Sequence, residues 1–258
     1  MNIYNYLLGK ISEKGAAYLI LIDPDKISGE KLCSFAKRCE ASGVDGFLVG
    51  GSLMMNGNLS STISALKDNT NIPVVIFPGG ISQVSSNADA ILFLSLVSGR
   101  NPEHLIGKQI MAAPIIKAYN LETIPTGYIL VESGSTTTVE YMSGSKPVPR
   151  RKPEIAVATA LAAQYLGMKM VYLEGGSGAQ MSVPNEMIAM VSKNLDIPVI
   201  AGGGIKTAED ARQKVESGAG IIVTGNYFED EENWPKIKEF ADAVHVKTAA
   251  LNNNLTGN

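Results

Sequence analysis

Eight short apolar runs in a chain of 258 residues predict an α/β fold, a single (β/α)8 TIM barrel over residues 1–248. The length is close to the roughly 250 residues such barrels use. The runs are Ala17–Ile22, Gly46–Val49, Val74–Phe77, Ala90–Phe93, Tyr128–Val131, Met170–Leu173, Val199–Ala201 and Gly220–Val223. They are rich in Val, Ile and Leu and nearly continuous in apolar character, as parallel strands covered on both faces are. A glycine-bearing turn follows each of the last three runs: Tyr172-Leu173-Glu174-Gly175-Gly176-Ser177-Gly178, Ala201-Gly202-Gly203-Gly204-Ile205 and Thr224-Gly225-Asn226. Glycine amides approach a phosphate without a Cβ between them, and barrels bind phosphate after strands seven and eight.

Helical patterns with recognisable ends separate most of the runs. Glu30–Ala41 sets Leu32, Ala36 and Cys39 on one face, and Gly43 follows as a stop. Pro153–Leu166 begins on proline and ends at Gly167, and Pro184–Asn194 opens the same way. Thr207 with Asp210 resembles a capping box for a helix running to about Ser217. Asn233–Lys247 reads as the closing helix, and residues 249–258 as a frayed polar tail. The third helix is predicted to be missing or reduced. Only twelve residues, Pro78–Asp89, join the third and fourth strands, and Pro78-Gly79-Gly80 and Ser85-Ser86-Asn87 are poor helix formers. That gap predicts an apolar groove on the flank, reached from the top near Ser98–Asn101. The connection Ser133–Lys152, with the cations Lys146, Arg150, Arg151 and Lys152, reads as a mobile loop over the active face.

Composition narrows the function classes. Hydrophobic residues make up 45% and charged ones 18%, the balance of a soluble globular protein, and the formal charge of −3 argues against a nucleic-acid partner. No stretch is long enough to span a bilayer, and no apolar leader opens the chain, so a cytoplasmic protein is expected. Cys33 and Cys39 lie six apart in a helical segment, off the three-or-four spacing of one face, and read as reduced core thiols. His104 and His245 are the two histidines, and neither follows a strand, which disfavours a histidine-based centre.

Two groups of residues carry chemistry. Asp23-Pro24-Asp25 after the first strand is a stiff acidic corner suited to a hard cation, or an ordinary turn, and Ser52 after the second strand offers a hydroxyl beside it. Glu174 stands inside a turn otherwise built for phosphate, where an anion is useful only as a proton acceptor or as the partner of a loop cation. Tyr172, two positions earlier, shares its face of the strand.

These segments resemble the geranylgeranylglyceryl phosphate synthases and the bacterial heptaprenylglyceryl phosphate synthases. The match runs through Leu21–Lys26, Val49–Ser52, Phe77–Gly79, Ser98–Pro102, Lys152–Glu154, Tyr172–Ala179, Gly202–Ile205 and Thr224–Asn226, nearly the whole chain. The Tyr-Leu-Glu segment is specific to that family; Gly175 stands where its pattern usually has alanine. The resemblance implies a modified barrel without its third helix and a Mg2+-dependent prenyltransferase. It implies transfer of a long prenyl group, geranylgeranyl foremost, from its diphosphate to the C3 hydroxyl of sn-glycerol 1-phosphate. Asp23 and Ser52 would hold the metal. Tyr172, Leu173, Glu174, Gly175, Gly176, Ser177, Gly178, Gly203, Gly204, Gly225 and Asn226 would hold glycerol phosphate, with Glu174 as base. A homo-oligomer, with transient membrane contact at product release, completes the expectation. Two rivals stay open: another phosphate-binding barrel enzyme, such as a sugar-phosphate isomerase or thiamin-phosphate-type synthase, and a non-catalytic phospholigand-binding barrel.

Overall fold

A computed structural model describes residues 2–247, so the expected tail at 249–258 lies outside the described residues. Eight parallel strands close in sequence order: β1 Ala17–Ile22, β2 Gly46–Val49, β3 Val74–Ile76, β4 Ala90–Leu96, β5 Glu122–Leu130, β6 Met170–Glu174, β7 Val199–Gly202 and β8 Ile221–Thr224. β8 pairs with β1 from Ala17↔Ile221 to Ile20↔Thr224, which seals the barrel. The outer layer is built from α2 Gly29–Ala41, α3 Leu59–Asn69, α4 Lys108–Ala118, α6 Pro153–Tyr165, α7 Asn185–Asn194, α8 Ala208–Glu216 and α9 Ile237–Val244. Two helices lie off that ring, α1 Ile3–Lys14 and the short α5 Thr138–Ser143.

The two-residue period of each strand divides the core. On β6, Val171 and Leu173 pack outward among the helices, while Met170 and Tyr172 join the interior with Leu19, Leu48 and Ile200. α1 closes the lower end, where Ile3 and Leu7 insert into the interior cluster. Glu122 holds that helix by accepting the Ile3 and Tyr4 amides at 2.6 and 2.9 Å. Asp45 ties three elements together beneath the barrel. Its carboxylate accepts from Lys14 Nζ at 2.7 Å and the Tyr18 amide at 2.9 Å, and it pairs with His245 Nε2 at 2.8 Å.

Several boundaries differ from the sequence reading. β5 begins at Glu122 rather than Tyr128, because β4 and β5 pair over seven residues and carry Pro125 and Gly127 in register despite their local preference for turns. The closing helix does not start at Asn233. A 3-10 turn at Glu231–Lys236 containing Pro235 precedes α9, which ends at Val244. Ser133–Lys152 is not a plain loop: it holds α5, capped by the Thr137 side chain on the Glu140 amide and ended by Gly144 at φ +60°. The third helix is absent, as expected. Between β3 and β4, Gln83 stands in its place: Oε1 accepts from the Gly79 and Gly51 amides at 3.1 and 3.3 Å, and Nε2 donates to the Gly51 carbonyl at 2.8 Å.

Candidate active site

Two cavities meet at the upper end of the barrel. The first, of about 470 Å³, is walled by the turns after β1, β2, β6, β7 and β8. The second, of about 180 Å³, is the apolar groove left by the missing helix. Ile81, Val84, Ile91 and Leu94 line the groove with Ala112 and Ile116 of α4. Gly51, Ser52, Phe77, Tyr128 and Val139 line both, so the two spaces adjoin along that wall.

Glu174 ends β6 and turns into the first cavity, 5% exposed. Burial dominates its proton affinity; the Gly176 amide, which donates to Oε1 at 2.6 Å, and the Tyr172 hydroxyl work against it. The net result is a pKa pushed up to about 7, poised for proton transfer at neutral pH. Gly203, at φ +79°, leaves room for this carboxylate, since a Cβ there would overlap Glu174 Oε1. Gly204, at φ +73°, has the backbone of Met181 and Ser182 within 3.0 Å of the site a Cβ would take. Gly225 differs: at φ −150° and ψ −86° it lies outside the left-handed region, in a pairing that residues with a Cβ rarely adopt.

Asn226 joins the turns after β6 and β8. Its Oδ1 accepts from Ser177 Oγ at 2.9 Å and from the Gly178 amide at 3.2 Å, while Nδ2 donates to Glu229 at 2.8 Å. Of the predicted residues, Tyr172, Glu174, Ser177, Gly178, Gly203, Gly204, Gly225 and Asn226 border the cavity together with Asp23 and Ser52. Leu173, Gly175 and Gly176 do not. Leu173 points into the outer layer, and the Gly176 amide is occupied by Glu174. Lys26, Lys206 and Glu229 also border it and were given no role from the sequence; Lys26 ends a matched segment, and Lys206 and Glu229 lie just outside theirs, with no pattern of their own.

The acidic corner divides its labour. The Asp25 carboxylate accepts the amides of Met55 at 2.6 Å and Asn56 at 2.9 Å, and that of Gly57, which holds it below the usual carboxylate range and fixes the loop after Ser52. Asp23 is left facing the cavity, its pKa raised, chiefly by burial. Among the described residues, no three His, Cys, Asp or Glu side chains converge on one point. A hard cation at Asp23 and Ser52 would therefore take one carboxylate, one hydroxyl and further oxygens from a ligand, a donor set that suits Mg2+.

The basic loop does not face the site. Lys146, Arg150, Arg151 and Lys152 line neither cavity. Arg150 donates to the carbonyls of Ser182 at 2.7 Å and Glu132 at 3.2 Å, and Lys152 pairs with Glu154 at 3.5 Å. Thr138 and Val139 of α5 reach the cavity instead. Nor does Ser98–Asn101 line the groove; Ser98 Oγ accepts the Leu130 amide, and Asn101 Nδ2 donates to the Ser143 carbonyl.

Fold and site together define a (β/α)8 barrel with a buried carboxylate beside its glycine turns and an apolar groove on its flank. The chain belongs to the PcrB family, whose pattern matches residues 10–244. It is similar to the geranylgeranylglyceryl phosphate synthase of Chitinophaga pinensis, 44% identical over 96% of this chain and 98% of that one. The enzyme of the same name from Flavobacterium johnsoniae is 47% identical over 83% and 88%. A solved structure of (S)-3-O-geranylgeranylglyceryl phosphate synthase from Thermoplasma acidophilum, in complex with sn-glycerol-1-phosphate, superposes with a TM-score of 0.89. It is 34% identical and covers 95% of this chain and 99% of its own. Thiamine phosphate pyrophosphorylase from Pyrococcus furiosus shares the fold alone, at 15% identity and a TM-score of 0.58.

Proposed function

We propose that this protein is a prenyltransferase that joins a long prenyl diphosphate, geranylgeranyl foremost, to the C3 hydroxyl of sn-glycerol 1-phosphate. The product is an ether-lipid precursor, and diphosphate leaves. The observation that carries the reading is that the polar cavity and the apolar groove adjoin at Ser52, Phe77 and Tyr128. A sugar-phosphate enzyme has no use for such a groove. Names of relatives at 44 to 47% identity and the glycerol-phosphate complex of a similar structure support the same reading.

The chemistry follows from the geometry. The turns after β6, β7 and β8 hold the phosphate and so fix the C3 hydroxyl near the carbon to be attacked, a large entropic advantage over free encounter. Glu174 takes the hydroxyl proton as the C–O bond forms. Asp23 and Ser52 would hold Mg2+, which neutralises charge on the diphosphate when bound. The groove shelters the chain, and each methylene it covers contributes about 0.8 kcal/mol.

A cytoplasmic location belongs to the same proposal, supported by the unpaired thiols of Cys33 and Cys39, which persist in a reducing compartment. Self-association is part of the proposal: α4 exposes Ile110, Met111 and Ile115, and α6 exposes Ile155, more apolar surface than an isolated barrel usually shows. Among the described residues, no helix is long and apolar enough to cross a membrane.

The test is incubation with Mg2+, glycerol 1-phosphate and a ladder of prenyl diphosphates, followed by mass analysis. A prenylglyceryl phosphate should accumulate, with affinity rising along the ladder until the groove ends. Absence of ether product with every prenyl length would end the proposal. Asp23→Ala should abolish metal-dependent turnover while glycerol phosphate still binds. Full activity after exhaustive chelation would remove Mg2+ from the scheme.

A further inference from the structure

We infer that Phe77, Tyr128 and Tyr172 form an aromatic wall that stabilises positive charge on the allylic carbon during transfer; the inference rests on the prenyl-transfer reading above. The three rings come from three strands or strand ends and pack as one group. Ring centroids are 5.3 Å apart for Phe77–Tyr172, 5.5 Å for Tyr128–Tyr172 and 5.8 Å for Phe77–Tyr128. Phe77 and Tyr128 belong to the small set that borders both cavities, and Tyr172 borders the polar one. With its tail in the groove and its diphosphate in the polar cavity, a prenyl diphosphate must set its first carbon at this junction.

The choice of side chains is telling. Elsewhere the groove is walled mainly by aliphatic residues such as Ile91, Leu92 and Leu94, with Phe93 as a single phenyl ring among them. The one packed group of three rings lining these spaces stands where the groove meets the polar cavity. Their π faces attract cations, the more so away from water. Burial holds both tyrosine hydroxyls well above the ordinary phenol value, so the rings stay neutral and do not compete with Glu174 for the substrate proton.

The step balances. The bond between the first prenyl carbon and the diphosphate oxygen breaks, and both electrons leave on diphosphate. The positive charge spreads over the allyl unit against the rings. A lone pair of the glycerol C3 oxygen then forms the ether bond, and its proton passes to Glu174.

Progressive fluorination of Phe77 tests this, because one, two or three ring fluorines drain the π face with little change in shape. Single-turnover ether formation should fall stepwise across the series, by about 30-fold in total for a desolvated cation–π contact. KM for both substrates should stay within twofold, and Tm should match the parent. A flat rate across the series, or a loss confined to KM, overturns the aromatic role. Failure of the underlying reading looks different, because the parent enzyme itself would then form no ether.

Discussion

Glu174 carries the sharpest consequences at the scale of single residues. Its pKa of about 7 makes it half ionised near neutrality, so a base role requires turnover to rise with pH through about 7 and level off above. Glu174→Gln should lower turnover by about two orders of magnitude or more and erase that limb, with glycerol phosphate binding kept within a few-fold. A pH-rate profile of both proteins decides it. The same shift has a stability side. The folded carboxyl binds its proton more tightly than the unfolded one, whose value is near 4.5. Its contribution is therefore complete below 4.5 and lost as pH rises through 7. Thermal melts of Glu174→Gln should accordingly gain on the parent at pH 8 relative to pH 4. Among the glycines, Gly225→Ala is the mildest probe of phosphate binding: its φ is negative, and the foreign atoms nearest an added Cβ, on Leu21, lie at 3.3 Å. It should raise glycerol phosphate KM with a modest fall in Tm. Gly204→Val should cost both, since a side chain there meets the Met181–Ser182 backbone.

At the scale of elements, the decisive piece is the segment that replaces the third helix. Gln83 is 5% exposed and makes three hydrogen bonds to Gly51 and Gly79, so it sets the loop that carries Ser52. Gln83→Leu would strand two amides and a carbonyl, at about 1–3 kcal/mol for each group left buried and unpaired. The expected result is a lower Tm and a prenyl diphosphate KM that rises several-fold more than that for glycerol phosphate, read by steady-state kinetics. Equal effects on both substrates would mean that Gln83 braces the whole barrel top. The segment was legible as a gap because prolines, glycines and short polar residues cannot make a crossover helix in twelve positions. Its stapling glutamine was not, since nothing local distinguishes Gln83 from a solvated side chain.

Across the whole molecule, chemistry and stability occupy opposite ends of the barrel. The upper end holds both cavities; the lower end is clamped by Asp45, which joins α1 through Lys14, β1 through the Tyr18 amide and the end of α9 through His245. Burial alone would raise the Asp45 pKa, but hydrogen bonds from His245, Lys14 and Tyr18 outweigh it and leave it below the usual range. Asp45→Ala leaves Lys14 and His245 without their anion and should cost about 3–5 kcal/mol. Urea melts would show the loss, while kcat and both KM values at low temperature should stay near the parent, as no cavity residue is touched. A large kcat change would couple the two ends.

The strands, the glycine turns, the place of Glu174 among them and the missing helix were all written in the sequence by itself, because each rests on local properties. Apolar runs mark buried strands, glycines mark close backbone approach, and an acid among them has few other uses. Tertiary structure alone decided what depends on distant partners. It gave Asp25 to the loop amides and left Asp23 to the cavity. It turned the basic loop away from the site, because Arg150 finds the Ser182 carbonyl. It brought Phe77, Tyr128 and Tyr172 from three places in the chain to one junction, and it paired Asp45 with His245, 200 residues away. A side chain's bonds are made with whatever closure of the barrel sets beside it, and that neighbour is specified by the whole chain at once.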